Sequence, residues 1–240
     1  MKRRRVIDHT KNLLKSLFPP FCTLCQQKIV IEEYENLCQK CCLDIILADR
    51  KCIFCDTPGA FLCHLCKKES PKLQNIFVCF NYENSIRKII QQFKYSLRPY
   101  LARTLNQLIW QRSLNFFAQL PIDTTIIPMP SGRLRVAKRG FNPVSEVARH
   151  LAQRSELPYC DNYLKKRAFS IPQTDLKRAD RLTNLQNHFL KNHQILPPSQ
   201  QRSLLIIDDV VTTGRSFKQL LESVDNPHTE ELYGLFIAQS

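Results

Sequence analysis

Long hydrophobic runs and export signals are missing from this sequence. No apolar stretch approaches the roughly 18 residues that a membrane-spanning helix needs. The basic start, residues 1–5, is followed by neither a long apolar region nor a small-residue cleavage site. We therefore expect no transmembrane segment and a cytoplasmic location. The Leu-rich residues 13–18 fit a short amphipathic helix, either docked on the rest of the protein or in peripheral contact with a membrane surface.

Glycine and acidic side chains are also scarce. Only 5 of the 240 residues are glycine, so each glycine is expected where the backbone needs a positive φ or a close approach. The 21 acidic residues are outnumbered by 35 lysines and arginines, which gives a formal net charge of +14. Such an excess favours polyanionic partners: nucleic acid, phosphorylated substrates or an anionic membrane face.

Cysteine, by contrast, is abundant, and most of the 11 cysteines form Cys-x-x-Cys pairs in the first third of the chain. Without an export signal, such pairs bind metal more often than they form disulfides. Two pairs together supply the four thiolates of a closed, structural zinc site. We predict two such zinc sites from consecutive pairs: Cys22, Cys25, Cys38 and Cys41, then Cys52, Cys55, Cys63 and Cys66. A cross-braced arrangement, which joins pair one to three and pair two to four, is the alternative.

After the cysteine-rich region, strand-like and helix-like segments alternate. We divide the chain into a basic arm (1–20), a double zinc module (21–70) and a larger domain (71–240), with Ser70-Pro71 as the boundary. Strands are predicted at 76–82, 124–129, 163–169, 188–191, 204–209 and 231–238, and helices at 85–95, 101–117, 143–157, 177–186 and 216–224. This alternation is typical of a parallel α/β sheet with helices on both faces.

The most informative segment runs from residue 204 to residue 216. An apolar, β-branched run ends in Asp208 and Asp209, and a turn of small residues then leads into a helix-like stretch. In open α/β sheets, ligands bind at such strand ends, and the free N–H groups of the helix start favour an anion. Thr212, Thr213 and Ser216 add hydroxyl donors, and Gly214 allows close approach to a phosphate. The paired acids suit sugar hydroxyls, directly or through a divalent cation.

A second cluster follows the strand at 124–129. Segment 131–139 carries one hydroxyl and several cations on a predicted loop: Ser131, Arg133, Arg135, Lys138 and Arg139. Facing the twin acids across a cleft, these cations would neutralise a diphosphate; otherwise they form a solvated basic loop. Asn142 and Pro143 fit the N-cap and first position of the next helix.

Basic and aromatic residues also alternate between 87 and 100. Aromatic rings that stack bases and cations that follow phosphates suit a nucleic-acid single strand. The candidate contacts are Lys88, Phe93, Lys94, Tyr95 and Arg98. The alternative is an ordinary amphipathic helix with Ile89, Ile90 and Phe93 facing the core.

Taken together, these motifs resemble the ComF (ComFC/GntX-like) family. The resemblance lies in the Cys-x-x-Cys series, Phe93-Lys94-Tyr95, Pro128-Met129-Pro130, Arg139-Gly140-Phe141-Asn142, a spaced series from Arg167 to Phe189, and Asp-Asp-Val-x-Thr-Thr-Gly from Asp208 to Gly214. It covers roughly residues 20 to 240. The segment around Asp208 is also similar to the phosphoribosyl pyrophosphate (PRPP) loop of type I phosphoribosyltransferases.

This resemblance implies a zinc-ribbon-like module joined to a phosphoribosyltransferase-type sheet that binds PRPP with Mg²⁺. Asp208 and Asp209 would grip the ribose, and the basic segment would receive the pyrophosphate. The PRPP-binding set is Asp208, Asp209, Val210, Val211, Thr212, Thr213, Gly214, Arg215 and Ser216.

The resemblance also implies a function in natural transformation: handling incoming single-stranded DNA beside a competence helicase or the recombination loader and recombinase. Two alternatives stay open. One is an active phosphoribosyltransferase with Asp208 and Asp209 as catalytic residues, and the other is a PRPP-sensing transcriptional regulator.

Overall fold

A four-stranded parallel sheet forms the centre of the protein. The computed structural model describes residues 20–29, 32–34, 36–95, 99–166, 189–191, 202–224 and 228–240. The strands are β1 (Glu32–Tyr34), β2 (Leu37–Cys38), β3 (Leu73–Asn81), β4 (Thr125–Pro128), β5 (Leu164–Lys166), β6 (Phe189–Lys191), β7 (Ser203–Val211) and β8 (Glu231–Gln239). The helices are α1 (Gln39–Leu43), α2 (His64–Glu69), α3 (Asn84–Tyr95), α4 (Pro99–Phe117), α5 (Arg133–Arg139), α6 (Pro143–Ser155) and α7 (Arg215–Val224).

The sheet has the strand order β3-β8-β7-β4, and every neighbouring pair is parallel. Four consecutive residues of β7, Leu204 to Ile207, have no exposed surface. Since neighbouring side chains point to opposite faces of a strand, both faces of the sheet must be covered. The predicted fold class, a parallel α/β sheet with a small cysteine-rich N-terminal module, is confirmed.

Both edges of this sheet are covered by other parts of the chain. Residues 46–48, between the two cysteine clusters, lie antiparallel to β3, with the N–H of Ala48 donating to the carbonyl of Cys79 at 3.3 Å. On the other edge, the N–H of Ile126 in β4 donates to the carbonyl of Pro158 at 2.7 Å. Each edge strand is therefore paired over part of its length within the described residues.

The helices near the site follow their sequence patterns. On α3 the buried side chains include Ile86, Ile89, Ile90 and Phe93, so the amphipathic interpretation of this helix is confirmed. At the start of α6, the Asn142 side chain accepts from the N–H of Val144 at 3.3 Å, and Pro143 takes the first helical position. This is the predicted N-cap.

Two predicted elements differ from the structure. The basic segment, predicted as a loop, forms helix α5, which ends at Gly140 with φ of 81°. The predicted strands at 163–169 and 188–191 do not join the central sheet, because β5 and β6 pair with each other antiparallel. The predicted arm (1–19), the helix at 177–186 and Arg98 lie outside the described residues.

The cysteine-rich region packs directly on the sheet. Phe61 packs edge-on against Phe77 of β3 at 5.9 Å between ring centroids, and Phe77 stacks on Phe116 of α4 at 5.5 Å. Buried residues of the two parts form one continuous hydrophobic core. The domain boundary at Ser70-Pro71 stays a prediction.

Candidate functional site

The eight cysteines of the Cys-x-x-Cys pairs form two separate clusters. One contains Cys22, Cys25, Cys38 and Cys41, the other Cys52, Cys55, Cys63 and Cys66, and within each cluster all Sγ atoms lie within 4.8 Å of one another. Cys25 and Cys38 are 3.6 Å apart, as are Cys55 and Cys63. A tetrahedron of Zn–S bonds of about 2.3 Å would separate its sulfurs by about 3.8 Å. The consecutive pairing is confirmed over the cross-braced alternative, and the donor sets fit structural zinc.

The two clusters are built to the same local plan. In the first, the N–H of Cys22 donates to the carbonyl of Gln27 and that of Gln26 to Cys22; in the second, Cys52 and Asp56 make the equivalent bonds. Gln26 and Asp56 both have positive φ, at 60° and 58°. The third cysteine of each cluster is the N-cap of a short helix, and the fourth lies in that helix's first turn. The module therefore repeats one structural unit. We call the part that carries Cys22 to Cys41 the first knuckle and the part that carries Cys52 to Cys66 the second knuckle.

Hydrogen bonds favour the thiolate forms that zinc requires. The hydroxyl and the backbone N–H of Thr57 lower the pKa of Cys55 to about 6. At Cys41 and Cys66, burial and the neighbouring thiols raise the pKa, because thiolates packed together repel one another. A bound divalent cation would remove that repulsion.

The twin acids lie near the carboxyl end of the central strand β7. Asp209 Oδ2 is 2.6 Å from the ammonium Nζ of Lys94, which reaches over from the last turn of α3. The two side chains are 24% and 18% exposed, so this ion pair is screened less than a surface one. The acid that the sequence assigns to a ribose hydroxyl thus has a cationic partner inside the protein.

Asp208 shares this environment, but among the described residues no ion pair joins its side chain to a cation. Its Oδ1 accepts from the N–H of Asp209 at 2.8 Å. Burial, followed by repulsion from Asp209, raises the pKa of Asp208 to about 7, against the opposing charges of Lys94 and Lys166. Carboxyl groups with such raised pKa values concentrate at binding and catalytic sites. Lys166 was not among the predicted site residues, because β5 shows no pattern linking it to β7.

The turn after β7 presents its polar side chains outward. Those of Thr212, Thr213, Arg215 and Ser216 are exposed, whereas Val211 is buried and Val210 partly buried. Helix α7 begins at Arg215, so its first N–H groups have no partner within the helix. The turn therefore offers hydroxyls, one guanidinium and a positive helix end to an anion.

The buried residue of this turn, Gly214, has a neighbour that the sequence does not predict. A Cβ added there would lie 2.7 Å from the carbonyl oxygen of Ile53 and 2.8 Å from Cδ1 of Phe54, and the φ of Gly214 is 62°. This packing is a second reason for glycine here, and close approach of a phosphate to the backbone stays a prediction. The group against its Cα is the tip of the second cysteine knuckle.

The basic helix α5 begins beside the twin acids. β4 and β7 are neighbours, and the N–H of Met129 donates to the carbonyl of Ile207 at 2.8 Å, next to Asp208. Arg133, Arg135 and Lys138 are exposed, Arg139 is partly buried, and the Ser131 hydroxyl donates to Asn142 Oδ1 at 2.8 Å. The structure thus places Met129, two residues before the basic segment, next to the acidic strand end, and the predicted pyrophosphate role of the segment stays a prediction.

The predicted nucleic-acid contacts divide into two groups. Phe93 is buried and packs against Phe141 at 6.1 Å, so its ring cannot stack on a base. Lys94 is held by Asp209, which places it in the acidic site. Lys88 is exposed, and the 72% exposed ring of Tyr95 has the guanidinium of Arg139 at 4.7 Å from its centroid. Lys88 and Tyr95 keep that assignment as a prediction, and so does Arg98, which lies outside the described residues.

None of the described helices combines the length and the apolar composition that crossing a bilayer requires.

Comparison with known proteins gives relatives of similar length but no matching family model. Competence protein F of Haemophilus influenzae is 27% identical over 176 residues, which cover 71% of this chain and 75% of that protein. DNA utilization protein YhgH of Escherichia coli K12 is 24% identical over 209 residues, 85% of this chain and 90% of that protein. A solved structure of the allosteric regulatory enzyme of purine biosynthesis matches 61% of this chain and 29% of its own, with 14% identity and a TM-score of 0.39.

The match to the Escherichia coli protein covers 85% of the chain, which is more than residues 71–240 alone could supply, so it includes part of the cysteine-rich region. These similarities confirm the resemblance to the ComF family that the sequence motifs carry, because a competence protein and a DNA utilization protein both match most of the chain.

Proposed function

We propose that this protein handles incoming single-stranded DNA in natural transformation and that its twin-acid site binds Mg²⁺–PRPP. The DNA function is supported by the relatives, which are named for competence and for DNA utilization. We propose that the protein acts on the cytoplasmic side of the membrane. A competence helicase, or the recombination loader and recombinase, are the proposed protein partners.

The observation that carries the ligand proposal is the sequence of groups along β7 and α7. Two adjacent carboxylates at a strand end precede an exposed, hydroxyl-rich turn and a helix start. A sugar phosphate needs acceptors for its hydroxyls and donors for its phosphate, and these two sets stand in that order here. Mg²⁺ prefers carboxylate oxygens and substrate phosphates, so Asp208 and Asp209 would hold it.

Lys94 gives the site a charge that can change partner. In the ligand-free state its ammonium neutralises Asp209. When Mg²⁺ and the ribose take up the carboxylates, Lys94 would turn to the phosphate oxygens of the ligand, as lysines do in other phosphate sites. Lys94 would thus neutralise the carboxylates when no ligand is bound and the phosphates when the ligand is bound.

The DNA part of the proposal uses the surface beside this site. Tyr95 and Arg139 form an exposed aromatic–guanidinium stack, and the exposed cations of α5 continue from it. Exposed aromatics stack bases, and cations follow phosphates, without strong sequence preference. We expect single strands to bind more tightly than duplexes, with affinity that falls as salt rises. Anisotropy with a labelled oligothymidylate and its duplex measures both, and Tyr95→Ala is expected to weaken only the single strand, by roughly 1–3 kcal/mol.

Phosphoribosyl transfer is a second candidate function, favoured by the raised pKa of Asp208. In this candidate Asp209 and the phosphates of the ligand would hold Mg²⁺, because a carboxylate bound to Mg²⁺ loses its raised pKa, and Asp208 would take the proton of an attacking nitrogen at neutral pH. The C1′–oxygen bond would break, the new C1′–nitrogen bond would form, and pyrophosphate would leave toward α5. Release of pyrophosphate on addition of a nucleobase to the protein with Mg²⁺–PRPP would support this candidate.

Calorimetric titration of PRPP with Mg²⁺ tests the ligand proposal. We expect micromolar binding by the wild type, about −8 kcal/mol at 1 μM, and none by Asp208→Asn/Asp209→Asn. Asp123→Asn is the matched control, because this exposed acid precedes β4 at the opposite end of the sheet. Equal binding by the wild type and the double variant would contradict the site assignment. The same double variant is expected to lower transformation frequency in a naturally competent host.

A further inference from the structure

We propose that the second four-cysteine cluster positions the phosphate-binding turn, residues 212–216, so that zinc in this cluster sets the affinity of the turn for phosphate. This inference rests on the function proposed for the turn. It assigns to one of the two knuckles a task that the other does not share.

The first argument is the contact at Gly214. The backbone carbonyl of Ile53 and the ring of Phe54 fill the space where a side chain would begin, at 2.7 and 2.8 Å from an ideal Cβ. Both residues lie between the cluster cysteines Cys52 and Cys55. The back of the turn therefore rests on backbone that metal ligation on either side would fix.

The second argument is the packing of Phe217, one residue beyond the turn, against the rings of Phe54 and Phe236. Phe54 stacks on Phe217 with 6.3 Å between centroids and 15° between ring planes. On the opposite side Phe217 meets the edge of Phe236 at 5.0 Å, and its Cζ is 2.9 Å from where a Cβ of Gly234 would be. The start of α7 is thus held between the knuckle and strand β8.

A third contact fixes the orientation of the knuckle against α7. Lys218 Nζ lies 3.1 Å from a carboxylate oxygen of Glu69, the last residue of α2, which also carries Cys66. This exposed pair contributes little to stability but joins the two helices at a defined place. Cys55 and Cys66 line the same cavity, of about 710 Å³, as Thr213 and Arg215.

The second knuckle depends on its metal more than the surrounding structure does. Cys52 and Phe61 are buried against the core, but Cys55 is exposed and Cys63 and Cys66 are only partly buried, so apolar packing does not enclose three of the four thiols. Small modules of this kind fold with their metal and open without it. The residues of the sheet, in contrast, are packed in the hydrophobic core. Loss of this zinc should therefore release the turn while the sheet persists.

The first knuckle supplies a matched control. Cys25 occupies the position in the first cluster that Cys55 occupies in the second, and both are exposed. Within the described residues, no hydrogen bond, ion pair or ring contact joins the first knuckle to the turn. Cys25→Ser and Cys55→Ser each remove one ligand from one zinc, and only Cys55→Ser should affect the turn.

The experiment compares the two full-length variants with the wild type. Zinc content is measured by mass spectrometry, and we expect it to fall from two to one in each variant. Hydrogen exchange of the peptide covering 212–217 should speed up about tenfold or more in Cys55→Ser alone. The Kd for Mg²⁺–PRPP should rise about tenfold in Cys55→Ser and less than about threefold in Cys25→Ser. Equal exchange in the two variants would overturn the inference.

Phe54→Ala keeps the argument testable if a cysteine variant fails to fold. This variant should retain both zinc ions yet show the same faster exchange at 212–217, and Phe54→Tyr should restore the wild-type rate. Unchanged exchange in Phe54→Ala would also refute the inference. A wild type that does not bind Mg²⁺–PRPP would instead refute the proposed function, and the exchange data would still decide whether the knuckle positions the turn.

Discussion

Gly214→Ala is expected to lower the free energy of unfolding by about 3 kcal/mol. Part of this loss is backbone strain, since an L-residue at a φ of 62° costs roughly 1–2 kcal/mol. The rest is steric, because the new methyl group would lie 2.7 Å from the Ile53 carbonyl and 2.8 Å from the Phe54 ring. Overpacking of this kind costs typically about 1–3 kcal/mol.

Gly140→Ala separates the two contributions. Gly140 has a comparable φ of 81°, but nothing lies within 4 Å of the position that its Cβ would take. We expect this variant to lose only about 1 kcal/mol, the strain alone. Urea unfolding of both variants, with zinc content measured alongside, gives the comparison. If both variants lost the same free energy of unfolding, Ile53 and Phe54 would have moved away from the new methyl group without destabilising the protein. That result would contradict the close contact.

Features carried by nearby residues could be predicted from the sequence. The cysteine clusters follow from a two-residue spacing that places two thiolates on one ion, and the structure pairs them consecutively. The N-cap at Asn142 and the twin acids at the end of β7 are equally local. The parallel sheet follows from the alternation of strands and helices.

Features that depend on distant contacts could not be predicted in this way. Gly214 and Ile53 meet across about 160 residues of chain, and no periodicity records that contact. Lys94 lies in a basic and aromatic segment that is typical of nucleic-acid contacts, and only the packing of α3 turns its side chain toward Asp209. The pairing of β5 with β6 likewise depends on tertiary structure, because a short strand pattern does not identify its partner.

The second large effect concerns Asp208 and runs against the function of the site. Asp208→Asn is expected to stabilise the ligand-free protein by about 2 kcal/mol at pH 8 and to change it little at pH 4. In the folded protein the pKa of Asp208 rises from an ordinary 3.8 to about 7. The folded state therefore binds this proton more tightly than the unfolded chain does, and the stability it gains is lost as pH rises from about 4 through 7.

The change in the pKa of Asp208 sets an upper limit to the stabilisation by Asp208→Asn. A rise from 3.8 to about 7 corresponds to roughly 4 kcal/mol if nothing relaxes when the carboxyl ionises. Movement of Lys94 and Lys166 toward the new charge reduces this, so we expect about half of that limit. Asparagine cannot ionise and escapes the penalty at every pH. Thermal or urea unfolding of the wild type and Asp208→Asn between pH 4 and 8 measures the difference.

Lys94→Met is the control of opposite sign. It removes the cation 2.6 Å from Asp209 and leaves two neighbouring carboxylates without it in a partly buried site. The pKa of Asp208 should rise further, and stability at pH 8 should fall below that of the wild type.

A stability difference between Asp208→Asn and the wild type that does not grow with pH would contradict the buried, repelled carboxylate. Because bound Mg²⁺ would neutralise the same pair, adding Mg²⁺–PRPP should stabilise the wild type at pH 8 and not Asp208→Asn. The acids that weaken the empty protein are thus the groups that the ligand needs.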